Sequence, residues 1–182
     1  MKIGILPIAN VDSAVLAEIK EKLPLIFPNT KCVILNEVPL KAEYFNRKRQ
    51  QYTSHAILTA IQKFAAKKPD LHRVLGVVDA DLFVPELNFV FGEALCPGKA
   101  AIISLWRLRP EFYGGVSDMT LFSARTLKEA VHELGHTLGL RHCSRASCVM
   151  YFSNSILDTD RKQSLFCEQC YLHVTIGISQ LE

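Results

Sequence analysis

Residues 131–170 read VHELGHTLGLRHCSRASCVMYFSNSILDTDRKQSLFCEQC and hold three of the six histidines and four of the six cysteines of the chain. His132 and His136 are four residues apart, so on a helix their imidazoles lie on one face, one turn apart. This spacing allows both rings to reach a single metal ion. Glu133 lies at the flank of the same face, where its carboxylate can hydrogen-bond a metal-bound water without being a ligand.

The turn that follows this helix can supply a third nitrogen ligand. Gly139 tolerates the left-handed backbone conformation that ends a helix, so the chain can turn there and bring His142 back to the metal. Three protein ligands leave a fourth position open, which is typical of a catalytic zinc site. Zinc lowers the pKa of a bound water to about 7, and Glu133 can then act as the general base that takes its proton.

The pattern HExxHxxGxxH over residues 132–142 resembles the metzincin metalloprotease motif. The shorter pattern HExxH also occurs in helices that bind no metal. The added glycine and third histidine make a chance match improbable. Metzincins also carry a methionine turn beneath the metal, and Met150 lies eight residues after His142. The resemblance implies that Met150 supports the metal ligands and is not itself a ligand.

The four cysteines form two pairs at a spacing that suits a structural metal site. The first pair is Cys143 and Cys148, and the second is Cys167 and Cys170 in a CxxC pattern. Four thiolates in two such groups are typical of a tetrahedral structural zinc site. Combined with the histidines and Met150, this arrangement resembles the archaemetzincin family. The loop from Met150 to Cys167 holds 16 residues, one fewer than the family's pattern, which affects a loop and not the ligand set.

This resemblance implies both a fold and an activity. The expected fold class is α/β (α+β), with a twisted mixed sheet, covering helices and an active-site helix at the cleft. One catalytic domain would span residues 1–182, with an N-terminal subdomain at 1–139 and a small zinc-stapled C-terminal subdomain at 140–182. An edge strand above the active-site helix would pair with extended substrate. The expected protein is a zinc metalloprotease that hydrolyses peptide bonds and holds two zinc ions, one catalytic and one structural.

Composition limits the location and partners of the chain. Its 182 residues are 49% hydrophobic, as expected for a globular domain, and no apolar run approaches the roughly 18 residues of a membrane span. The net charge of +3 is too small to favour nucleic-acid binding. Six cysteines without a secretion signal indicate a reducing compartment. We therefore expect a cytoplasmic monomer that acts on peptides or proteins, with Cys32 and Cys96 as buried inert thiols.

Hydrophobic periodicity predicts strands and helices that alternate through the first half of the chain. Such alternation favours a partly parallel sheet with helices on its faces. The predicted strands are 2–8, 31–35, 73–79, 88–91 and 101–105, and the predicted helices are 13–23, 54–67, 121–138 and 159–172. Residues 39–52 read as a loop or irregular helix, 105–115 as a loop, and 174–182 as an apolar tail.

Two further functions stay open at the level of sequence. The four cysteines alone fit a non-catalytic zinc adaptor, although an intact Glu133 argues against it because a structural site needs no base. An exopeptidase could instead use Arg107 or Arg109 to hold a terminal carboxylate of its substrate. Either Tyr113 or Tyr151 could donate to a developing oxyanion, but simple packing is the more common role of such a tyrosine.

Overall fold

The computed structural model describes residues 1–181. Strands and helices alternate through the first half of the chain, as predicted, and two further helices close it. Along the chain the elements are β1 Lys2–Ile8, α1 Ser13–Ile26, β2 Lys31–Ile34, β3 Phe45–Asn46, β4 Gln51–Thr53, α2 Ser54–Ala66, β5 Arg73–Val78, β6 Leu82–Phe83, β7 Gly92–Ala94, β8 Ala100–Ser104, α3 Met119–Thr137, α4 Ile156–Arg161 and α5 Glu168–Ser179.

The main sheet is mixed and has the strand order β2-β1-β5-β8-β7. The first four of these strands are parallel, and β7 is an antiparallel edge strand beside β8. The side chains of β5 belong alternately to two different hydrophobic cores. Leu75 belongs to the core that contains α1 and α3, whereas Val74 belongs to the core that contains α2. The sheet is therefore covered on both faces, which explains why its central strands are apolar throughout.

The first helix is longer than predicted. Asp12 caps α1, because its side chain accepts a hydrogen bond from the Ala14 backbone N–H at 2.8 Å. The helix continues through Pro24 to Ile26, so the prediction that it stops at residue 23 was wrong. Pro24 removes one helical hydrogen bond. The last turn is kept because Leu23 and Ile26 are both buried against the sheet.

Two predictions about strands were also wrong. Residues 88–91 are not a strand; only Val90 makes an isolated bridge, to Leu82. The partner of β8 is β7, at residues 92–94, so the pairing begins just after the predicted segment. Residues 39–52, predicted as a loop or irregular helix, contain β3 and the start of β4, which form a small second sheet with β6. The short alternation of polar and aromatic residues there gives too weak a period to identify two- and three-residue strands.

The prediction of one helix over residues 159–172 was wrong as well. Two helices, α4 and α5, are separated by residues 162–167. Cys167 lies in extended backbone at the N-cap of α5, with its N–H donating to the Cys148 thiol. A continuous helix would not allow this approach between the two cysteine pairs. The predicted tail forms the rest of α5 as far as Ser179, and residue 182 lies outside the described part.

None of the helices in residues 1–181 combines the length and apolar character that a bilayer crossing requires. The division into subdomains at residue 139 stays a prediction.

Candidate active site and metal centres

The active-site helix α3 is held against the sheet by its apolar side. Asp118 caps it by accepting a hydrogen bond from the Leu121 backbone N–H at 2.9 Å. Val131 and Leu134 are fully buried in the core. After the helix ends at Thr137, Gly139 adopts the left-handed conformation with φ of 91°, as predicted. The chain then turns back toward the face of α3 that is opposite the core.

This turn brings three histidines together. The ligand nitrogens of His132, His136 and His142 all lie within 4.8 Å of one another. The Nε2 atoms of His132 and His136 are 3.1 Å apart. For a tetrahedral zinc with Zn–N bonds of about 2.0–2.1 Å, two ligand nitrogens would be separated by roughly 3.4 Å. The histidine cluster therefore fits a zinc ion with little adjustment.

Backbone carbonyls fix the orientation of two of these rings. The Nδ1 of His132 lies 2.8 Å from the Val149 carbonyl oxygen, and the Nδ1 of His136 lies 2.7 Å from that of Leu140. Donation from Nδ1 leaves Nε2 as the free lone pair for a metal, the arrangement common around zinc histidines. His142 is exposed and is instead flanked by rings, with the centroid of Phe152 at 5.0 Å.

The electrostatic setting keeps the imidazoles neutral. Burial, with a smaller contribution from the nearby Lys162 ammonium, lowers the pKa of His132 well below its usual range. Burial also lowers the pKa of His136 and of His142. Since a metal binds the neutral form of histidine, this setting favours metal binding near neutral pH.

The carboxylate of Glu133 is confined between α3 and the edge strand β7. A Cβ atom built on Gly92 would lie 2.6 Å from both Cγ and Oε1 of Glu133, far inside van der Waals contact. Glycine at position 92 therefore makes room for this side chain. Burial, with the neighbouring Glu129 charge, raises the pKa of Glu133 well above its usual range. A carboxylate with a raised pKa holds a proton more readily, as a general base requires.

Met150 lies beneath the histidines. It is fully buried, and its sulfur would be only 2.5 Å from a Cβ atom built on Gly135. The Met150 carbonyl accepts a hydrogen bond from the Cys143 backbone N–H at 2.9 Å. Met150 thus packs against the active-site helix at Gly135, which precedes His136, without joining the candidate metal ligands.

The four cysteines converge at a second centre. The Sγ atoms of Cys143, Cys148, Cys167 and Cys170 all lie within 4.8 Å of one another. The Cys143 and Cys167 sulfurs are 3.8 Å apart, far longer than a disulfide of about 2.05 Å. Tetrahedral zinc with Zn–S bonds of about 2.3 Å would separate its sulfurs by about 3.8 Å. The distance and the donor type both fit a closed four-cysteine zinc site.

The thiols of this cluster differ in acidity. Although burial opposes it, hydrogen bonds from the Cys170 backbone N–H and the neighbouring thiols lower the pKa of Cys167 to about 7. Burial raises the pKa of Cys148, and burial with the surrounding thiols raises that of Cys170. Without a cation, the Cys167 thiolate forms easily, whereas Cys148 and Cys170 resist ionisation. A bound metal would remove that resistance.

The histidines and Glu133 open onto a cleft of 660 Å³. The strand β7, most of the preceding residues 84–91 and residues 152–154 form its walls. Loop 105–115 contributes no residue to this lining.

Neither tyrosine considered for oxyanion stabilisation lines the cleft. Tyr113 lies on loop 105–115, is 46% exposed, and donates its hydroxyl to the Arg107 carbonyl at 3.0 Å. Tyr151 follows Met150 and is half-buried. Packing, the simpler of the two roles, is the one that this geometry favours for both residues.

The two arginines considered for binding a substrate carboxylate are already engaged. Arg107 makes two short contacts with Asp81, at 2.6 and 2.7 Å. Arg109 does the same with Asp79, at 2.6 and 2.7 Å. Each guanidinium uses its fork on an internal carboxylate. This geometry removes the main support for the exopeptidase alternative.

A buried ion pair behind the cleft was not predicted. Lys162 is fully buried, and its ammonium lies 3.0 Å from Oε1 of Glu129, although the contact is not aligned as a hydrogen bond. Thr159 donates its hydroxyl to the same oxygen. Glu129 lies one helical turn before Glu133, a spacing that was visible in the sequence. Lys162 offered no signal, because a lysine in a polar segment usually faces solvent.

The two remaining cysteines differ from each other. Cys32 is buried as expected, and burial raises its pKa to about 11. Cys96 is exposed, so the expectation of a buried thiol was wrong there. It lines the cleft and donates to the Leu140 carbonyl, the same oxygen that contacts His136.

Comparison with known proteins supports the same assignment. The family model described as "Peptidase family M54" matches residues 9–175. The archaemetzincin of Methanocaldococcus jannaschii is 43% identical over 170 residues, covering 93% of this chain and 90% of that protein. The crystal structure of the archaemetzincin of Archaeoglobus fulgidus superposes with a TM-score of 0.82 at 39% identity, covering 95% and 99% of the two chains.

A third relative carries a functional description. The crystal structure of a zinc-dependent peptidase from Methanocorpusculum labreanum superposes with a TM-score of 0.84 at 27% identity and covers 94% of this chain and 99% of that one. The family model's range of 9–175 includes both the histidine cluster and the cysteine cluster. The chain therefore belongs to the archaemetzincin family, peptidase family M54, and is a metzincin-type zinc metalloprotease.

Proposed function

We propose that the cleft hydrolyses peptide bonds through a water molecule activated at the histidine cluster, with Glu133 as the general base. The observation that carries the proposal is the convergence of His132, His136 and His142 beside a buried carboxylate at the floor of an open cleft. A structural metal site has no use for such a base. The non-catalytic adaptor considered above does not account for it.

The roles of the residues follow from their positions. Zinc, when bound, would polarise the scissile carbonyl and acidify a water molecule. Glu133 is placed to take a proton from the water that attacks the scissile carbonyl, and to return it to the amide nitrogen as the C–N bond breaks. The carbonyl oxygens of Val149 and Leu140 hold the rings of His132 and His136 in place during these steps. Met150 and Gly135 keep the floor beneath the rings close-packed.

The edge strand would align the substrate. One side of β7 pairs with β8, and β7 ends the order of the main sheet. Its free N–H and C=O groups on the other side border the cleft and can pair with an extended peptide. A peptide placed there passes over Glu133, because Gly92 of β7 is in direct contact with that side chain.

Cleavage of a peptide library tests the activity. Zinc-loaded protein is incubated with a mixture of peptides, and new termini are identified by mass spectrometry. We expect defined cleavage sites that disappear with His136→Ala and with a chelator, because both remove the metal from the cleft. Cleavage that persists unchanged in His136→Ala would show that the histidine cluster is not the active site.

We further propose two zinc ions per chain, a catalytic ion at the histidines and a structural ion at the cysteines. Elemental analysis of protein purified without added metal is expected to approach two zinc per chain. The open histidine site should lose its ion to a chelator before the closed cysteine site does. A content near one that Cys167→Ser leaves unchanged would remove the structural ion from this proposal.

The substrate is proposed to be a peptide or protein. The expectations of a cytoplasmic monomer without affinity for nucleic acid stay predictions.

A further inference from the structure

A second concavity of 560 Å³ lies next to the metal cleft. Phe89 and Asn154 line both concavities, so the two meet at these residues. The second one also includes Arg125 of α3, Leu157 of α4 and Tyr113 of loop 105–115. A peptide that lies in the metal cleft can therefore continue over Phe89 and Asn154 into the second concavity.

The distance from the histidine cluster to the second concavity can be expressed as a number of substrate residues. Arg125 precedes His132 by seven residues on the same helix. At about 1.5 Å per residue, this corresponds to roughly 10 Å along the axis of α3. An extended peptide advances about 3.3 Å per residue. A side chain about three residues from the scissile bond would therefore reach the second concavity.

Its lining is apolar and carries no free charge. Arg125 is bound by Asp160 through two contacts of 2.7 Å, and Arg107 is bound by Asp81 in the same way. The two guanidinium charges are thus neutralised by carboxylates of the chain itself. A charged substrate group would gain little there, whereas an apolar group would be removed from water.

Two of the lining residues, Phe89 and Tyr113, contribute aromatic rings. The guanidinium of Arg107, which also lines the concavity, lies 4.4 Å from the centroid of the Phe89 ring. Tyr113 and Leu157 at the rim are 46% and 63% exposed. Guanidinium planes and aromatic rings stack with a further aromatic ring better than with an aliphatic chain. The geometry and the exposed apolar rim both favour an aromatic occupant.

We propose that this concavity is a distal substrate subsite that binds an aromatic side chain about three residues from the scissile bond. The proposal rests on the proposed peptidase function, because the occupant belongs to a peptide that is cleaved at the histidine cluster. The subsite would give the enzyme a preference for a substrate side chain that the catalytic residues do not contact.

The test uses quenched fluorescent peptides built around one cleavage site. In each peptide one position, from two to four residues on either side of the scissile bond, carries Phe, Ser or Arg. We expect Phe to raise kcat/KM roughly ten-fold over Ser at one position near the third, and Arg to give no gain. Leu157→Ser should reduce that preference to less than about two-fold. The matched control Leu25→Ser, whose side chain is 83% exposed on α1, should keep the full preference.

Several outcomes would overturn the proposal. One is the absence of an aromatic preference at every position tested, and another is a preference that both Leu157→Ser and Tyr113→Ala leave intact. A wild-type dimer that Leu157→Ser dissociates, as seen by sedimentation, would make the concavity an interface between two copies of the chain.

Measuring peptide binding alone distinguishes failure of the peptidase function from failure of the subsite proposal. If no peptide is cleaved, the same Phe and Ser peptides are titrated onto Glu133→Gln protein and followed by fluorescence anisotropy. Tighter binding of the Phe peptide that Leu157→Ser weakens supports the subsite without any hydrolysis. Equal binding of the two peptides contradicts it.

Discussion

Replacing Glu133 by Gln is expected to lower peptide hydrolysis by about a hundred- to ten-thousand-fold, the usual contribution of a general acid–base residue. Glutamine keeps the shape and the hydrogen-bonding reach of the side chain beneath Gly92 but cannot take a proton at neutral pH. Because the histidines are untouched, zinc content should be unchanged. The melting temperature should also be kept, since the site already disfavours the charged carboxylate.

The measurement is kcat/KM on a cleaved peptide, together with elemental analysis and a thermal melt. Glu21→Gln, at an exposed position of α1, is a matched control that should behave like the parent protein. Hydrolysis that Glu133→Gln leaves at the parental level would eliminate this residue as the base. Loss of zinc along with activity would instead indicate that Glu133 maintains the metal site.

The second large effect concerns stability. Cys170→Ala is expected to lower the melting temperature on the order of 10 °C, from a loss of about 4 kcal/mol. The cysteine cluster ties α5 to the segment that follows His142, and a structural zinc ion contributes its binding free energy directly to folding. Because His142 precedes Cys143, this proposed metal ligand should also lose its support. We therefore expect activity to fall as well.

Cys96→Ala is the matched control, since this thiol lies outside the cluster. It should melt within about 1–2 °C of the parent, as expected for a substitution at an exposed position. Chelation under conditions that empty the cysteine site should lower the parental melting temperature to that of Cys170→Ala. If Cys170→Ala melts like Cys96→Ala, the cluster does not staple the C-terminal helices.

The cysteine and histidine clusters could be predicted because their chemistry is encoded in short spacings. His132 and His136 are one helical turn apart, and the CxxC pair places Cys167 and Cys170 on one helix end. Gly139 indicated the turn after α3 that brings back His142 for the histidine cluster and Cys143 for the cysteine cluster. The alternating strands and helices of the first half were also predictable from local sequence, because a repeated apolar period identifies each element as a strand or a helix.

Features that depend on distant partners could not be predicted in this way. The strand β7 is defined by its pairing with β8, so residues 88–91 looked equally suitable until the register was known. Lys162 is buried only because Glu129 of another helix lies opposite. The break between α4 and α5 follows from the approach of Cys167 to Cys148, a tertiary constraint that local propensity does not contain.

Contact between Gly92 and Glu133 limits how this enzyme can diversify. A side chain at position 92 would strike the Glu133 carboxylate and also approach the Ile102 carbonyl to 2.7 Å, so Gly92→Ala should lose most activity. The cleft walls at residues 84–91 and 152–154 are not limited to glycine in this way. Selection for activity from libraries randomised at position 92 and, separately, at Phe152 should return glycine alone in the first case and many residues in the second. New specificities would then evolve through the loops, while the strand over the base stays fixed.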